Sequence, residues 1–246
     1  MKNRRLRSIF DNNTGNQIHK WVHYFDIYEK YFSYFQDRPI VFLEIGVNQG
    51  GSLEMWRNYF HPDSIIVGVD INPQCKVFEE NNIFIEIGSQ DDPLFWNFVK
   101  QKYSSFDIII DDGGHVMKQQ IVSFVELFPI LNCGGIYLCE DTHTSYWKKF
   151  GGKLKGNGTF IEFSKNLIDD LHGFHLKSPR YYTSEISFVH FFDSIVVIGK
   201  EQRSKSYSIS SGIPNLIIED FNELMPKNSM LSKFKIFVYR FYKNLF

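Results

Sequence analysis

Five short apolar runs, each closing on a glycine or a carboxylate, constrain this chain more than anything else in its sequence. They are IVFLEIG (40–46), SIIVGVD (64–70), NIFIEIG (82–88), FDIIIDD (106–112) and GGIYLCED (134–141). Stretches with helical apolar spacing lie between them. GSLEMWRNYF puts Leu53, Trp56 and Tyr59 or Phe60 on one side, and QQIVSFVELFPIL follows the fourth run. DPLFWNFVKQKY starts beside Asp91 and Asp92, acids that suit the positive end of a helix. A continuous apolar run can be buried on both faces, and alternation with amphipathic helices is how a parallel sheet covers both. Two further β-rich runs, EISFVHFF and SIVVIGK, are separated by Asp193 and suit an antiparallel hairpin at the sheet edge. The expected fold is therefore α/β: a Rossmann-like, doubly wound, seven-stranded and mostly parallel sheet with an antiparallel terminal hairpin.

Residues 1–38 are expected to form an N-terminal helical cap, because HKWVHYFDIYEKYFSYF (19–35) is aromatic throughout. Residues 39–200 form the core, and 201–246 an extension. Within that extension Phe234, Phe237, Val238, Phe241, Tyr242 and Leu245 fall near helical spacing, with Lys233, Lys235, Arg240 and Lys243 among them. This basic amphipathic helix suits packing on the domain or on a second copy of the chain; peripheral contact with a membrane surface is the other reading. A formal net charge of −1 argues against bulk electrostatic binding of nucleic acid. Cys75, Cys133 and Cys139 show no CxxC or metal-knuckle spacing and are expected to be core thiols of a reducing compartment. No apolar run approaches the ~18 residues of a membrane span and no signal-peptide core is present, so a cytoplasmic protein is expected.

Open parallel sheets bind ligands beyond the carboxyl ends of their strands. The first end reads EIGVNQGGS, with Glu44 where the dinucleotide fingerprint GxGxxG has its first glycine. A carboxylate there repels phosphate and suits a cationic or hydroxyl-rich ligand, while Gly46 and Gly50 let a ligand approach the backbone. The second strand ends in Asp70, an acid able to hold both hydroxyls of a ribose. The third ends in GSQDD, where Ser89, Gln90 and Asp91 suit an adenine edge. These three segments, VFLEIGVNQGGSLEMW, Asp70 and GSQDD, resemble the S-adenosylmethionine site of class I methyltransferases. The resemblance implies that Asp70 binds the ribose and that Gln90 or Asp91, beside Ser89, sits near adenine. It places Gly46 and its neighbours along the methionine moiety, with Glu44, Asn48, Gly50 and Ser52 as further cofactor contacts. A similar sheet serving another nucleotide is the alternative.

The fourth and fifth strands end in Asp111–Asp112 and Glu140–Asp141. The segment between them fits one crossover helix, so the four carboxylates are expected on one rim. Mutual repulsion makes such a cluster costly without a cation, and Mg²⁺ takes oxygen ligands while keeping waters for exchange. Asp111 has a second reading, toward the cofactor. His115, three residues past Asp112, has a chemical use. An alkyl hydroxyl is too weak an acid for a base of pKa about 6.5 alone, but metal coordination stabilises the alkoxide as the proton leaves. DDGGH, CEDTHTSYWKKFGG and HKWVHYFDIYEKYF together resemble the metal-dependent sugar O-methyltransferases that include the macrocin and mycinamicin enzymes. That resemblance covers about residues 15–200. It implies Asp112, Glu140 and Asp141 as Mg²⁺ ligands and His115 as the base. Gly114 stands where serine is common, and QIHKW departs from a more acidic Asp-Lys pattern, which leaves the roles of His19, Lys20 and His23 open.

The expected activity is S-adenosylmethionine- and Mg²⁺-dependent O-methylation of a sugar hydroxyl. Lysines 148, 149, 153 and 155 suit a substrate diphosphate, which favours a nucleotide-activated sugar such as GDP-heptose in bacterial capsule or surface-polysaccharide assembly. Tyr146 and Trp147 suit an apolar platform for a natural-product glycoside, and Tyr146, Trp147 and Lys148 are the expected acceptor contacts. A phenol or catechol O-methyltransferase is the runner-up, and a non-catalytic binding scaffold is the alternative of another class. Self-association as a homo-oligomer is left open.

Overall fold

In the computed structural model, residues 5–212 are described. Residues Met1–Ser206 form one compact unit and Tyr207–Phe246 a second, whose described part, 207–212, is exposed. The amphipathic helix expected near the C-terminus lies outside the described residues. None of the described helices is long and apolar enough to cross a membrane.

The helices are α1 (Leu6–Asp11), α2 (Tyr24–Phe32), α3 (Gly51–Tyr59), α4 (Pro93–Lys102), α5 (Met117–Leu127) and α6 (Phe160–Leu171). The strands are β1 (Val41–Ile45), β2 (Ile65–Asp70), β3 (Ile83–Ile87), β4 (Phe106–Asp111), β5 (Leu131–Cys139), β6 (Ile186–Phe192) and β7 (Ile195–Lys200). All seven strands make one sheet in the order β3-β2-β1-β4-β5-β7-β6. The first five are parallel, and β7 runs antiparallel to both β5 and β6. Strand order therefore reverses between β1 and β4, where the carboxyl ends diverge and leave a crevice.

Both faces of the sheet are covered, which is why the strands read as unbroken apolar runs. On one face Phe42, Ile66, Ile108, Ile110 and Leu138 pack with Trp56 of α3 and with Tyr28 and Phe32 of α2. The opposite face carries Leu43, Ile45, Val67, Ile109 and Tyr137 against Trp96 of α4 and Phe124 and Leu127 of α5. Trp56 lies among the rings of Tyr28, Phe32, Phe42 and Phe60, fastening α2 and α3 to the sheet. Asp92 caps α4 by accepting from Leu94 N at 2.9 Å.

Three departures from the sequence expectation have local causes. The aromatic segment 19–35 is helical only from Tyr24, with a 3-10 turn at Ser33–Phe35. The lead-in exposes Trp21 and Val22, so burial of an apolar stripe begins at Tyr24. Helix α6, which the apolar pattern does not single out, is capped by Thr159, whose hydroxyl accepts from Glu162 N, and buries Phe160 and Leu167. Cys75 and Cys139 are buried as expected, but Cys133 is exposed. It sits where the pairing of β4 with β5 jumps from Phe106↔Leu131 to Ile108↔Ile136, so the intervening residues of β5 bulge outward.

Candidate active site

Side-chain alternation decides which strand-end acids meet, because successive residues of a strand point to opposite faces. Glu44 shares the face of Phe42 and is fully buried there. Ile108 and Ile110 point to the same face, so Asp111 takes the other and Asp112 returns. Beyond β5, Glu140 follows Leu138. Glu44, Asp112 and Glu140 all accept from a single ammonium: Lys20 Nζ lies 2.7 Å from Asp112 Oδ2, 3.1 Å from both Glu140 oxygens and 3.4 Å from Glu44 Oε1. Tyr28 OH donates to Glu140 Oε1 at 2.6 Å, and Tyr24 OH to Asp141 Oδ1 at 2.6 Å. Burial acts to lower the Lys20 pKa, but Asp112, Glu140, Tyr28 and Glu44 together outweigh it and hold the ammonium well above its ordinary value. The Glu140 carboxyl is pushed well up, first by burial and then by repulsion from Asp112.

The first strand end is built for close approach of backbone to backbone. Gly46 has φ 97°, and a Cβ there would lie 2.1 Å from the Asp112 carbonyl oxygen, so only glycine fits. Asp70 shapes the following loop: Oδ2 accepts from Val47 N at 2.9 Å and Asn48 N at 3.1 Å, and Oδ1 from Asn72 N at 2.9 Å.

These strand ends enclose a cavity of about 500 Å³, large enough for a small-molecule ligand. Gly46, Asn48, Asp70, Ser89 and Gln90 line it from the first three strand ends. Asp112, His115, Glu140 and Asp141 line it from the fourth and fifth, and His19, Lys20, Trp21 and Tyr24 from the segment leading into α2. Three lining residues that are not glycine hold left-handed backbone: Asn48 at φ 50°, His115 at φ 55° and Asp141 at φ 52°. Asparagine, aspartate and histidine are the side chains most often found there. The Thr144 hydroxyl steadies both loops, lying 3.0 Å from the His115 carbonyl and 2.8 Å from that of Asp141.

His115 Nε2 lies 3.5 Å from Asp141 Oδ2 and 4.0 Å from Asp112 Oδ1. Its Nδ1 is buried without a hydrogen-bond partner. One donor atom from each of Asp112, His115 and Asp141 falls within 4.8 Å of the others, with Glu140 adjoining on Lys20 and Tyr28. Carboxylate oxygens facing an open cavity suit a hard divalent ion such as Mg²⁺, so the donor set fits.

Several expected contacts lie elsewhere. Glu44 and Ser52 are buried away from the cavity: Ser52 Oγ donates to Glu44 Oε2 at 2.6 Å and Trp56 Nε1 to Oε1 at 3.2 Å. Burial pushes the Glu44 carboxyl up, against the Lys20 charge. Gly50 has φ 77° and packs under the Phe78 ring rather than facing the cavity. Asp91 accepts from Ser89 Oγ and Lys118 Nζ. Asp111, expected at the cofactor, faces the opposite side of the sheet, where it accepts from Tyr137 OH and Gln90 Nε2. It orients the Gln90 amide, whose oxygen accepts from Gly114 N at 3.0 Å. Tyr146, Trp147 and Lys148 are exposed and do not line the cavity, although Trp147 contacts His143 edge-on and His143 contacts Trp21. His23 binds the Asp193 carbonyl. The contacts of Tyr24 and Tyr28 are the main finding beyond the motifs. Tyr24 and Tyr28, four apart, share a face of α2, whereas Lys20 lies in the lead-in before the helix and no helical spacing ties it to them.

No protein-family model matches the chain. Demethylmacrocin O-methyltransferase of Streptomyces fradiae is 33% identical over 228 residues, covering 85% of this chain and 56% of that relative. Mycinamicin VI 2''-O-methyltransferase of Micromonospora griseorubida is 33% identical over 217 residues, covering 82% and 53%. The chain is a homologue of the macrocin- and mycinamicin-type sugar O-methyltransferases. The mycinamycin-pathway methyltransferase MycE, solved with Mg, SAH and mycinamycin VI, matches with a TM-score of 0.77 at 30% identity, covering 91% of this chain and 59% of that one. The seven-stranded sheet is thus the class I methyltransferase fold in its macrocin- and mycinamicin-type form. The chain spans little more than half the length of these relatives.

Proposed function

We propose that this chain carries out S-adenosylmethionine- and Mg²⁺-dependent O-methylation of a sugar hydroxyl on a glycoside with an apolar aglycone. The observation that carries the reading is the convergence of Asp112, His115 and Asp141 donor atoms within 4.8 Å, in the cavity that Gly46, Asp70 and Gln90 also line. The named activities and bound groups of the relatives support it.

In this reading Asp70 and Gln90 hold the nucleoside part of the cofactor, and Gly46 lets its methionine part lie against the backbone. Asp112 and Asp141, with Glu140 beside them, hold the divalent ion. Bound there, the ion would make an acceptor hydroxyl more acidic. His115 Nε2 accepts the hydroxyl proton as methyl transfer proceeds. The left-handed backbone at His115 and the Thr144 bridge fix the imidazole relative to Asp141, so alignment of the reacting groups is built in before substrate arrives.

The rim argues for the acceptor class. Lysines 148, 149, 153 and 155 are exposed and none lines the cavity, whose one lining lysine, Lys20, is already held by carboxylates. The Trp21–His143–Trp147 contacts give the rim an aromatic surface instead. This favours an apolar glycoside over a nucleotide-activated sugar or a small catechol. Methyl transfer read by mass spectrometry over macrolide-type glycosides, nucleotide sugars and catechols, with and without EDTA, tests the choice. EDTA-sensitive methylation of glycosides is expected, and transfer only to nucleotide sugars or catechols would overturn the acceptor assignment. His115→Ala should retain cofactor binding while turnover falls at least about 100-fold, the scale of general-base catalysis. Near-normal turnover would remove the base.

A further inference from the structure

Lys20 holds two of the carboxylates that the preceding reading gives to the divalent ion. Its ammonium contacts Asp112 and Glu140, two of the expected ligands, and its side chain is 3% exposed. Two cations cannot share those oxygens without strong repulsion. The same ammonium has a second anchor outside the cavity: Glu44 Oε1, at 3.4 Å, belongs to a fully buried carboxylate with no other cation in contact among the described residues. Resting on the metal-dependent reading, we propose that Lys20 is a built-in competitor of the divalent ion. In the metal-free protein it bridges Asp112 and Glu140; ion binding moves it off these two and onto Glu44.

The arrangement has a physical rationale. Glu44, Asp112, Glu140 and Asp141 are too many carboxylates for one rim to hold ionised without a cation. Lys20 keeps Asp112 and Glu140 drawn together until the ion arrives, while Tyr28 and Tyr24 hold Glu140 and Asp141 by hydrogen bonds that need no charge on the donor. Lys20 is followed directly by Trp21, which lines the cavity.

The test is titration of Mg²⁺ and Mn²⁺ into wild type, Lys20→Met and Lys20→Gln by calorimetry, with thermal melting of the metal-free and metal-loaded forms. Removing the competitor should tighten divalent affinity at least about tenfold. The metal-free variants should melt lower than wild type, and the ion should raise their melting temperature by more than it raises that of wild type. Lys20→Gln keeps a hydrogen-bond donor and serves if Lys20→Met does not fold. Unchanged or weaker affinity in the variants, with wild type binding normally, would show that Lys20 only braces the ligands and would overturn the proposal alone. Absence of divalent binding in wild type and variants alike would overturn the metal reading, and the competition with it.

Discussion

Asp70→Asn separates the bracing of the first loop from the holding of a ligand. The wild-type carboxylate accepts three backbone N–H groups, two on Oδ2 and one on Oδ1. Asparagine offers one acceptor oxygen. With that oxygen toward Val47 and Asn48, its amide donor confronts the Asn72 N–H; turned over, it confronts the other two. At least one charge-assisted bond is lost and the remainder become neutral. Hydrogen bonds to charged groups contribute about 1.5–3 kcal/mol each. Asp70 is partly open to solvent, so a loss of about 2 kcal/mol is expected. For a chain of this size that lowers the melting temperature by about 4–8 °C. Cofactor binding is read on top of this. At about 100 times its Kd a ligand stabilises the native state by about 2.7 kcal/mol. Loss of an acceptor for the ligand's hydroxyls weakens affinity about tenfold, so the same concentration adds only about 1.4 kcal/mol. Thermal melting with and without S-adenosylmethionine or S-adenosylhomocysteine measures both effects. An unchanged ligand-induced shift would refute the ribose role, and an unchanged metal- and cofactor-free melting temperature would refute the bracing.

Gly46→Ala should destabilise the fold by at least ~2 kcal/mol and abolish cofactor binding, because the new methyl meets the Asp112 carbonyl oxygen at 2.1 Å and the φ of 97° disfavours a side chain. Gly158→Ala is the control: its φ is 88° but nothing lies within 4 Å of the added Cβ, so urea denaturation should show a loss of only about 1–2 kcal/mol from backbone strain. Asp111 gives a pH signature. Burial raises its pKa from 3.8 to about 6, against the opposing influence of His115. The fold therefore takes up a proton between these values, and the stability this group contributes is greatest below about pH 4 and lost as pH rises through about 6. The change amounts to no more than about 3 kcal/mol. Asp111→Asn should thus gain on wild type between pH 4.5 and pH 7 in urea denaturation, and an equal difference at both pH values would refute the assignment.

The apolar runs and their terminal glycines and acids determined the sheet, its mostly parallel order and the rim on which the site lies, because burial on both faces leaves a local trace in every strand. The DDGGH and Glu140–Asp141 motifs likewise marked the carboxylates, since four acids at two strand ends are conspicuous whatever the fold. Sequence could not divide their work. Asp111 and Asp112 are neighbours in the chain, and only their opposite orientation in β4 sends one to Gln90 and Tyr137 and the other into the cavity. The same parity buries Glu44 beneath α3, although its place in the first turn suggests a ligand contact. Lys20, Tyr24 and Tyr28 lie about a hundred residues from Asp112, Glu140 and Asp141, and no local pattern encodes such a distance. Tertiary packing of α2 and its lead-in brought them together, because Trp56 and its surrounding rings fix α2 over the face where the acids emerge.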